Sequence, residues 1–308
     1  MSILIHKNTT VLVQGITGKE GQKAAKAMLE YGTNVIGGVT PGKGGQEVEG
    51  RPVFNSVQEA LEGLTPSQPP PARGRGQLVS AIYVPPFAAK AAILEAIDND
   101  IPLISVIVER IPIQDTAYCL AVAKEKNIRI IGPSSLGFIV PGVGRIGVVG
   151  GPRELTAQIF QPGSIGIISR SGGMTNEVAW QVRKAGLGQS AAVHVGGDLL
   201  MGTTYADLLH LFEKDEQTKA VIIFGEHGGG YEFEIADIIK QKEYTKPLAI
   251  YIGGKFANIF PEGMNIGHAG AIVGRGQGAA EKEAALRGVG VLVADRYEGL
   301  VELIKPFA

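Results

Sequence analysis

Short apolar runs alternate with amphipathic stretches along the first half of the chain. The apolar runs are rich in β-branched residues and predict buried strands at residues 11–14, 34–37, 80–84, 103–108 and 129–131. Between them, the spacing of apolar positions predicts helices at residues 21–31, 57–61, 88–99 and 113–126. Strands that are apolar throughout are typical of a parallel sheet covered by helices on both faces. The first half is therefore predicted to be an α/β domain.

The same alternation resumes after a glycine- and proline-rich connection at residues 141–163. Further strands are predicted at residues 164–169, 189–195, 220–225, 248–252 and 291–294, and further helices at 173–185, 204–213, 232–242 and 279–287. This pattern predicts two α/β domains, residues 1–150 and 151–308. A low-complexity insertion at residues 65–77 contains three consecutive prolines and is predicted to be a surface loop without an assigned function.

Composition excludes several classes of partner. The 308 residues carry 29 basic and 30 acidic side chains, so no basic excess favours nucleic acid. No apolar run approaches a membrane span, and the first residues lack the apolar stretch of a signal peptide. Cys119 is the single cysteine, which excludes an intrachain disulfide and favours a reducing, cytoplasmic location. Its apolar helical surroundings favour a buried structural thiol over a nucleophile.

Two glycine loops follow strands in the first domain. The first, at residues 15–21, has the spacing G-x-x-G-x-x-G and leads into a helix, where backbone N–H groups and the helix dipole favour an anion. The spacing differs from the G-x-G-x-x-G of nicotinamide-dependent enzymes, and no acidic residue follows the second strand to hold a ribose. Instead the second loop, residues 38–45, carries Lys43. A nucleotide-bearing ligand and a purely structural turn are both compatible with the first loop alone; the pair favours the ligand.

In the second domain, residues 169–173 read S-R-S-G-G between a predicted strand and a predicted helix. Their hydroxyl and N–H groups suit a phosphoryl group, and Ser171 equally suits the N-cap of the helix. Glu226 lies in the loop G-E-H-G-G, either as a solvated carboxylate or as a group that orients a histidine. His194, His210 and His227 lack the spacing of metal ligands, so no metal site is expected.

The segment G-H-A-G-A at residues 267–271 presents His268 among small residues. Glycines on both sides leave room around the imidazole for a bulky group, which suits a histidine that becomes phosphorylated. A histidine in a tight turn is the alternative from this segment alone. A serine–glycine helix start and Glu226 in the same domain favour the phosphorylated histidine.

Taken in order, these motifs resemble the α subunit of succinyl-CoA synthetases along nearly the whole chain, and also the corresponding part of citryl-CoA synthetase and ATP-citrate lyase. The matching segments are residues 2–5, 14–18, 38–45, 132–133, 169–172, 225–229 and 267–271. The resemblance implies an N-terminal Rossmann-like CoA-binding domain followed by a flavodoxin-like ligase domain. It also implies a partner subunit of ATP-grasp type that binds ATP or GTP with Mg²⁺, and a small carboxylic acid as substrate.

By the same resemblance, His268 is phosphorylated, Glu226 orients it, and the phosphoryl group passes to the acid before CoA displaces it. The positions that match CoA contacts are Thr17, Gly18, Lys19, Val39, Lys43, Pro85 and Ser134. The phosphate-binding positions are Ser169, Ser171 and Gly172, and the substrate-binding positions are Gly228 and Gly229.

Departures from the succinate pattern bear on the substrate. Residues 169–177 read S-R-S-G-G-M-T-N-E, like the citrate enzymes, where succinate enzymes typically read S-R-S-G-T-L-T-Y-E. The approach to His268 through residues 253–260 is also longer than the succinate pattern, whereas 196–204 and 207–213 are more succinate-like. Ser134-Ser135 replaces the usual N-C, and His227 stands where isoleucine is common, for which the sequence offers no account.

These residues predict the CoA-binding, histidine-phosphorylated subunit of an NDP-forming acid–CoA ligase, with citrate favoured over succinate and malate left open. The alternatives are the succinate–CoA ligase α subunit of the citric acid cycle, and a CoA-binding regulatory protein without catalysis. A nicotinamide-dependent dehydrogenase is disfavoured by the glycine spacing of the first loop. The choice between ATP and GTP is expected to reside in the partner subunit.

Overall fold

A computed structural model describes residues 3–63, 78–255 and 278–308. The first part contains β1 (Thr10–Gln14), α1 (Lys19–Tyr31), β2 (Asn34–Val39), β3 (Glu47–Val48), β4 (Arg51–Phe54), α2 (Val57–Gly63), β5 (Leu78–Ile82), α3 (Pro86–Asp98), β6 (Leu103–Val106), α4 (Ile113–Glu125) and β7 (Arg129–Ile131). The second part contains β8 (Gly137–Val140), β9 (Gly144–Gly147), α5 (Arg153–Ile159), β10 (Pro162–Ser169), α6 (Gly172–Lys184), β11 (Gln189–His194), α7 (Tyr205–Lys214), β12 (Ala220–Glu226), α8 (Tyr231–Lys240), β13 (Leu248–Gly253), α9 (Ala279–Arg287), β14 (Leu292–Val293) and α10 (Leu300–Ile304). None of the helices within these ranges is long and apolar enough to cross a membrane.

The first sheet has the strand order β3-β4-β2-β1-β5-β6-β7. Its strands pair in parallel except for the short β3, which pairs antiparallel with β4. From β4 to β7 this is the 3-2-1-4-5-6 order of the Rossmann fold, in which ligands bind at the carboxyl ends of the strands. The prediction of a Rossmann-like first domain is confirmed.

The second sheet has the order β14-β13-β12-β10-β11-β8-β9. Its parallel strands, from β11 to β14, follow the 2-1-3-4-5 order of the flavodoxin-like fold. The antiparallel pair β8 and β9 extends the sheet beyond β11. The α/β fold expected for the second domain is confirmed.

Residues 141–163 are not the simple connection that the sequence predicted, because β9 and α5 lie within them. Their glycines suggested a loop, but Gly137 and Gly147 face each other across the β8–β9 pair. A Cβ added to Gly137 would clash with the carbonyl oxygen of Ile146, so glycine permits a close strand pairing there. The chain passes from the first sheet to the second between Ile131 and Gly137, so β8 and β9 are counted with the second domain, and the boundary at residue 150 stays a prediction.

The two domains pack directly against each other. Thr33 follows α1, and its Oγ1 donates to the carbonyl of Arg145 on β9 at 2.8 Å and accepts from the Arg145 N–H at 2.9 Å. Arg145 is buried, and one apolar cluster contains Met28 from the first domain together with Ile146 from the second. Polar and apolar contacts are therefore both shared across the interface of the two domains.

Cys119 lies on α4 with only 1% of its surface exposed, which confirms that it is a buried thiol. Burial raises the pKa of this thiol to about 11. Because the thiolate is the reactive form, we expect iodoacetamide at pH 8 to alkylate the folded protein about two hundredfold more slowly than the guanidinium-unfolded chain. Equal rates in the two states would contradict this expectation.

Candidate functional site

The first glycine loop lies between β1 and α1, as predicted. Gly15 has φ of +79°, and a Cβ there would lie 2.5 Å from the carbonyl oxygen of Tyr83. Gly21 lies in the first turns of α1, where a Cβ would lie 2.2 Å from the carbonyl oxygen of Gly15. Gly15 therefore lets the loop approach the backbone of Tyr83, and Gly21 lets the start of α1 pack on the loop. Gly18 is the N-cap of α1, and Lys19 is exposed in its first turn. The N-terminal N–H groups of such a helix favour an anion.

The second glycine loop is tied to the first. The Gly15 N–H donates to the carbonyl of Val39 at 2.7 Å, and Thr17 Oγ1 donates to Thr40 Oγ1 at 3.1 Å. Lys43 is exposed in the turn that follows. Thr40 was not recognised from the sequence, although it stands directly after β2, next to the predicted glycine loop.

Asn55 holds the turn that carries Lys43. Its Oδ1 accepts from the N–H groups of Gly42 at 3.0 Å and Gly44 at 2.9 Å. Asn55 was not recognised from the sequence either, where its position after a short strand is its one distinguishing feature. The loops that carry Thr17, Gly18, Lys19, Val39 and Lys43 are thus brought together at the carboxyl ends of two neighbouring strands.

Pro85 and Ser134 lie farther along the same edge. Pro85 is the exposed N-cap of α3, in the loop after β5, which neighbours β1. Ser134 follows β7, so β5 and β6 lie between it and β1. Three strand spacings amount to about 14 Å, so Ser134 is not in the same cluster as Thr17.

Ser134 instead lines a cavity of about 430 Å³ between the two domains. Glu109 and Arg110 line it from the first domain, and Asp198 and Leu199 line it from the second. The cavity therefore adjoins the carboxyl ends of strands in both domains.

The serine–glycine turn of the second domain lies between β10 and α6. Ser169 Oγ donates to the carbonyl of Ser171 at 2.9 Å and accepts from its N–H at 3.0 Å. Ser171 is the N-cap, and its Oγ accepts from the N–H of Met174 at 3.5 Å. The N-cap reading of Ser171 is confirmed. The same arrangement leaves Gly172 at the positive end of the helix dipole, where an anion is favoured.

Arg170 and His194 form hydrogen bonds that stabilise this turn. The His194 ring accepts from the Leu136 N–H through Nδ1 at 2.6 Å, so Nε2 carries the proton that bonds the carbonyl of Arg170 at 2.9 Å. Arg170 is 1% exposed and donates from Nη2 to the carbonyl of Asp198 at 2.9 Å. Arg170 was not recognised from the sequence, because an arginine after a strand usually faces solvent.

Glu226 ends β12 and begins the second turn of this site. β12 pairs in parallel with β10, so Glu226 and the Ser169–Gly172 turn lie at the same edge of the sheet. Glu226 is 8% exposed, and Gly228 and Gly229 follow with φ of +78° and +67°. Two consecutive left-handed residues reverse the chain directly into α8, a conformation that favours glycine.

His227 has a packing role in this turn. It is 5% exposed, and its N–H donates to the carbonyl of Gly253 on the neighbouring strand at 3.0 Å. A Cβ added to Gly254 would clash with its Nδ1. The flat imidazole therefore packs against the backbone of Gly254.

A buried ion pair lies under the Glu226 turn. The Lys282 ammonium on α9 contacts a carboxylate oxygen of Glu232 on α8 at 2.5 Å, and both side chains are 0% exposed. Burial lowers the pKa of Lys282, and the neighbouring Glu232 carboxylate opposes that shift. Burial also holds the pKa of nearby Tyr205 well above its usual range. Neither Glu232 nor Lys282 was singled out from the sequence, where both read as charged positions of amphipathic helices.

His268 lies outside the described residues, so its predicted place beside Glu226 stays a prediction. Within residues 3–63, 78–255 and 278–308, histidine, cysteine and carboxylate side chains do not gather into a group of three that could hold a metal ion.

Comparison with known proteins agrees with this geometry. The CoA binding domain family matches residues 6–110, and the CoA-ligase family matches residues 168–292. The chain is 46% identical to the ADP-forming succinate–CoA ligase subunit alpha of Aquifex aeolicus, over 99% of this chain and 94% of that protein. It is 42% identical to the subunit alpha 1 of Archaeoglobus fulgidus, over 99% of this chain and 97% of that protein.

Among solved structures, the ATP citrate lyase of Methanothrix soehngenii in complex with citrate and coenzyme A matches with a TM-score of 0.89 and 25% identity. The match covers 99% of this chain but 50% of that one, so the chain spans about half the length of the lyase. A dinucleotide-forming acetyl-coenzyme A synthetase of Ca. Korarchaeum cryptofilum, at 19% identity and a TM-score of 0.68 over 96% of this chain and 60% of that one, shares the fold.

A Rossmann-like CoA-binding domain followed by a CoA-ligase domain defines the class of this protein: it is a CoA-dependent acid–thiol ligase. The relatives that match over almost their full length define the family within this class. The chain belongs to the family of succinate–CoA ligase α subunits.

Proposed function

We propose that this chain is the CoA-binding, histidine-phosphorylated subunit of an NDP-forming acid–CoA ligase. A β-type partner subunit of ATP-grasp type supplies the nucleotide site for ATP or GTP with Mg²⁺. The observation that carries the proposal is the pair of anion-binding helix starts, one in each domain, joined to a CoA-binding and a CoA-ligase family match. The cytoplasmic location inferred from the single cysteine stays a prediction.

The first domain holds CoA at the edge of its sheet where the strands have their carboxyl ends. We assign its phosphates to the loop that carries Thr17, Gly18 and Lys19, because N–H groups, a helix dipole and an exposed ammonium converge there. Lys43 adds a cation from the neighbouring loop, which Asn55 holds in place. Val39 is 2% exposed, so its part here is its carbonyl, which accepts from the Gly15 N–H, while Pro85 provides exposed apolar surface beside the loops. Ser134, which lines the interdomain cavity, would contact a more distant part of the same elongated ligand.

The second domain handles the phosphoryl group. A ring nitrogen of His268 attacks the γ-phosphorus of the nucleotide and releases the nucleoside diphosphate. A carboxylate oxygen of the acid then takes the phosphoryl group from His268, which gives an acyl phosphate and restores the imidazole. The CoA sulfur attacks the acyl carbon, the bond from that carbon to the phosphate oxygen breaks, and inorganic phosphate leaves with the proton of the thiol. Glu226 would orient His268, while Ser169, Ser171 and Gly172 would receive the phosphoryl group at the helix start.

Citrate is the acid we favour, because the first turn of α6 leaves more room than the succinate pattern. Gly173 is exposed, and a Cβ there would meet no atom within 4 Å, so a threonine would fill open space at the phosphate site. Asn176 accepts from the Gly150 N–H at 2.9 Å and so is drawn away toward the loop before α5. Positions 173 and 176 lie three residues apart on one helix face, so the threonine and tyrosine of the succinate pattern would both add bulk to this face of α6. Gly228 and Gly229 would keep the opposite wall free of side chains.

Succinate is the second candidate, and the named relatives favour it. The proteins that are 46% and 42% identical over 99% of this chain are succinate–CoA ligase α subunits. A four-carbon dicarboxylate needs less room than citrate, so the open space at Gly173 is the feature that separates the two acids.

Thioester formation by the enzyme assembled with its partner tests this choice. We expect a higher kcat/KM with citrate than with succinate, measured as CoA thiol consumed. The double substitution G173T/N176Y is expected to lower the citrate-to-succinate ratio by about tenfold or more, because it fills the extra volume. A wild-type preference for succinate would contradict the citrate assignment while leaving the ligase assignment intact.

A further inference from the structure

All the hydrogen atoms of the Lys282 ammonium have partners. Nζ donates to the carbonyl of Glu226 at 2.8 Å, to the carbonyl of Gly228 at 2.6 Å, and to Glu232 Oε2 at 2.5 Å. An ammonium has three N–H groups, and these contacts use all three. Two of the three reach the backbone of the turn that begins with Glu226.

Glu232 completes the same arrangement from the other side. While Oε2 accepts from Lys282, Oε1 accepts from the backbone N–H of Glu226 at 3.2 Å. The pair therefore bonds both the N–H and the carbonyl of Glu226. The backbone of this one residue is thus fixed by two side chains from two different helices.

The turn needs such partners because its carbonyl groups face inward. Gly228 and Gly229 both adopt positive φ, and the carbonyls of Glu226 and Gly228 converge on one point in a buried region. Two convergent carbonyl oxygens without a donor would repel each other and remain unpaired away from water. A buried cation between them removes both costs.

We infer that Lys282 and Glu232 are a positioning pair, which sets the place of Glu226 at the phosphoryl-transfer site and binds no substrate itself. The inference rests on the proposed function, because it assigns the pair to the placement of the carboxylate that orients His268. Helix α9, which carries Lys282, begins after His268 in the sequence, so the ammonium joins the Glu226 turn to an element on the far side of that histidine in the chain.

Lys246 offers a matched control within the same domain. Its Nζ also donates to two backbone carbonyls, those of Phe212 and Asp215, each at 2.6 Å. It precedes β13, whereas Glu226 ends the parallel neighbour β12, so Lys246 lies at the opposite edge of the sheet. Lys246→Met therefore removes the same kind of contact far from the proposed site.

The test compares K282M, E232Q and the double variant K282M/E232M with K246M, each assembled with the partner subunit. The initial rate of chain labelling by γ-labelled ATP is measured at saturating ATP, together with the Kd for CoA and the Tm. We expect labelling to fall roughly ten- to a hundredfold in K282M and in the double variant, and less in E232Q, with the Kd for CoA unchanged. K246M is expected to label at the wild-type rate.

The double variant separates positioning from stability. Removing both charges leaves no unpaired ion in the core, so its Tm is expected to recover relative to K282M. Its labelling is expected to stay slow, because the two carbonyls and the Glu226 N–H still lack their partners.

Three results would overturn the inference. The first is wild-type labelling in assembled K282M or in the double variant, and the second is recovery of labelling together with Tm. The third is failure of all three variants to assemble while K246M assembles, which would assign the pair to folding alone. If instead the wild-type enzyme shows no label, the proposed function itself is wrong, an outcome distinct from these three.

Discussion

Replacing His268 with asparagine is expected to abolish phosphorylation of the chain by its partner subunit. An imidazole nitrogen has a lone pair that can attack phosphorus, whereas the amide nitrogen of asparagine has its lone pair delocalised into the carbonyl. Labelling with γ-labelled ATP in the assembled enzyme should fall by at least about a thousandfold. The wild-type label is expected to be lost in acid and kept in alkali, as a phosphorylated histidine requires.

Glu226→Ala is the companion variant in this experiment. It should label slowly rather than not at all, with CoA binding unchanged, because the carboxylate acts on the histidine and lies in the second domain. Full labelling of His268→Asn would show that another residue carries the phosphate. A wild-type chain that binds CoA but never takes label would favour the regulatory, non-catalytic alternative.

Replacing Gly21 with alanine is expected to weaken CoA binding strongly. The added Cβ would lie 2.2 Å from the Gly15 carbonyl oxygen and 3.0 Å from Ile16 Cα, and both are backbone atoms that cannot rotate away. The helix start must therefore shift from the loop, which costs about 1–3 kcal/mol if the strain is like that of overpacked cores. That energy corresponds to roughly a ten- to hundredfold rise in the Kd for CoA, measured by calorimetry.

Gly299→Ala is the control for this substitution. Gly299 precedes α10 with a φ of −82°, and a Cβ there would meet no atom within 4 Å. It should leave both CoA binding and Tm near the wild-type values. Unchanged CoA affinity in Gly21→Ala would mean that the first glycine loop is a structural turn and that CoA binds elsewhere.

The parts of the site that follow one strand end were predictable from sequence. A strand, a glycine turn and a helix start are adjacent in the chain, so the loop at residues 15–21 and the turn at 169–172 can be recognised from the local sequence. The continuous apolar strands likewise indicated two parallel sheets. These features were predictable because the residues that form each of them are adjacent in the sequence.

The parts that depend on distant pairing were not predictable. Lys282 bonds Glu232 across 50 residues, and each reads as an ordinary charged position on an amphipathic helix until the two helices are placed side by side. Thr33 and Arg145 pair across 112 residues in the same way. The β8–β9 pair was missed because its glycines serve close strand contact, which the sequence does not distinguish from a flexible turn.

The shared contacts of Thr33 and Arg145 have a consequence for how two distant reaction partners could meet. These backbone and hydroxyl bonds, together with the common apolar cluster, form a buried contact between the two domains. A closing movement of the domains would have to break this buried contact each time the enzyme turns over. A long ligand with many rotatable bonds can reach from one domain to the other without such a movement. The thiol-bearing arm of CoA is a ligand of this kind.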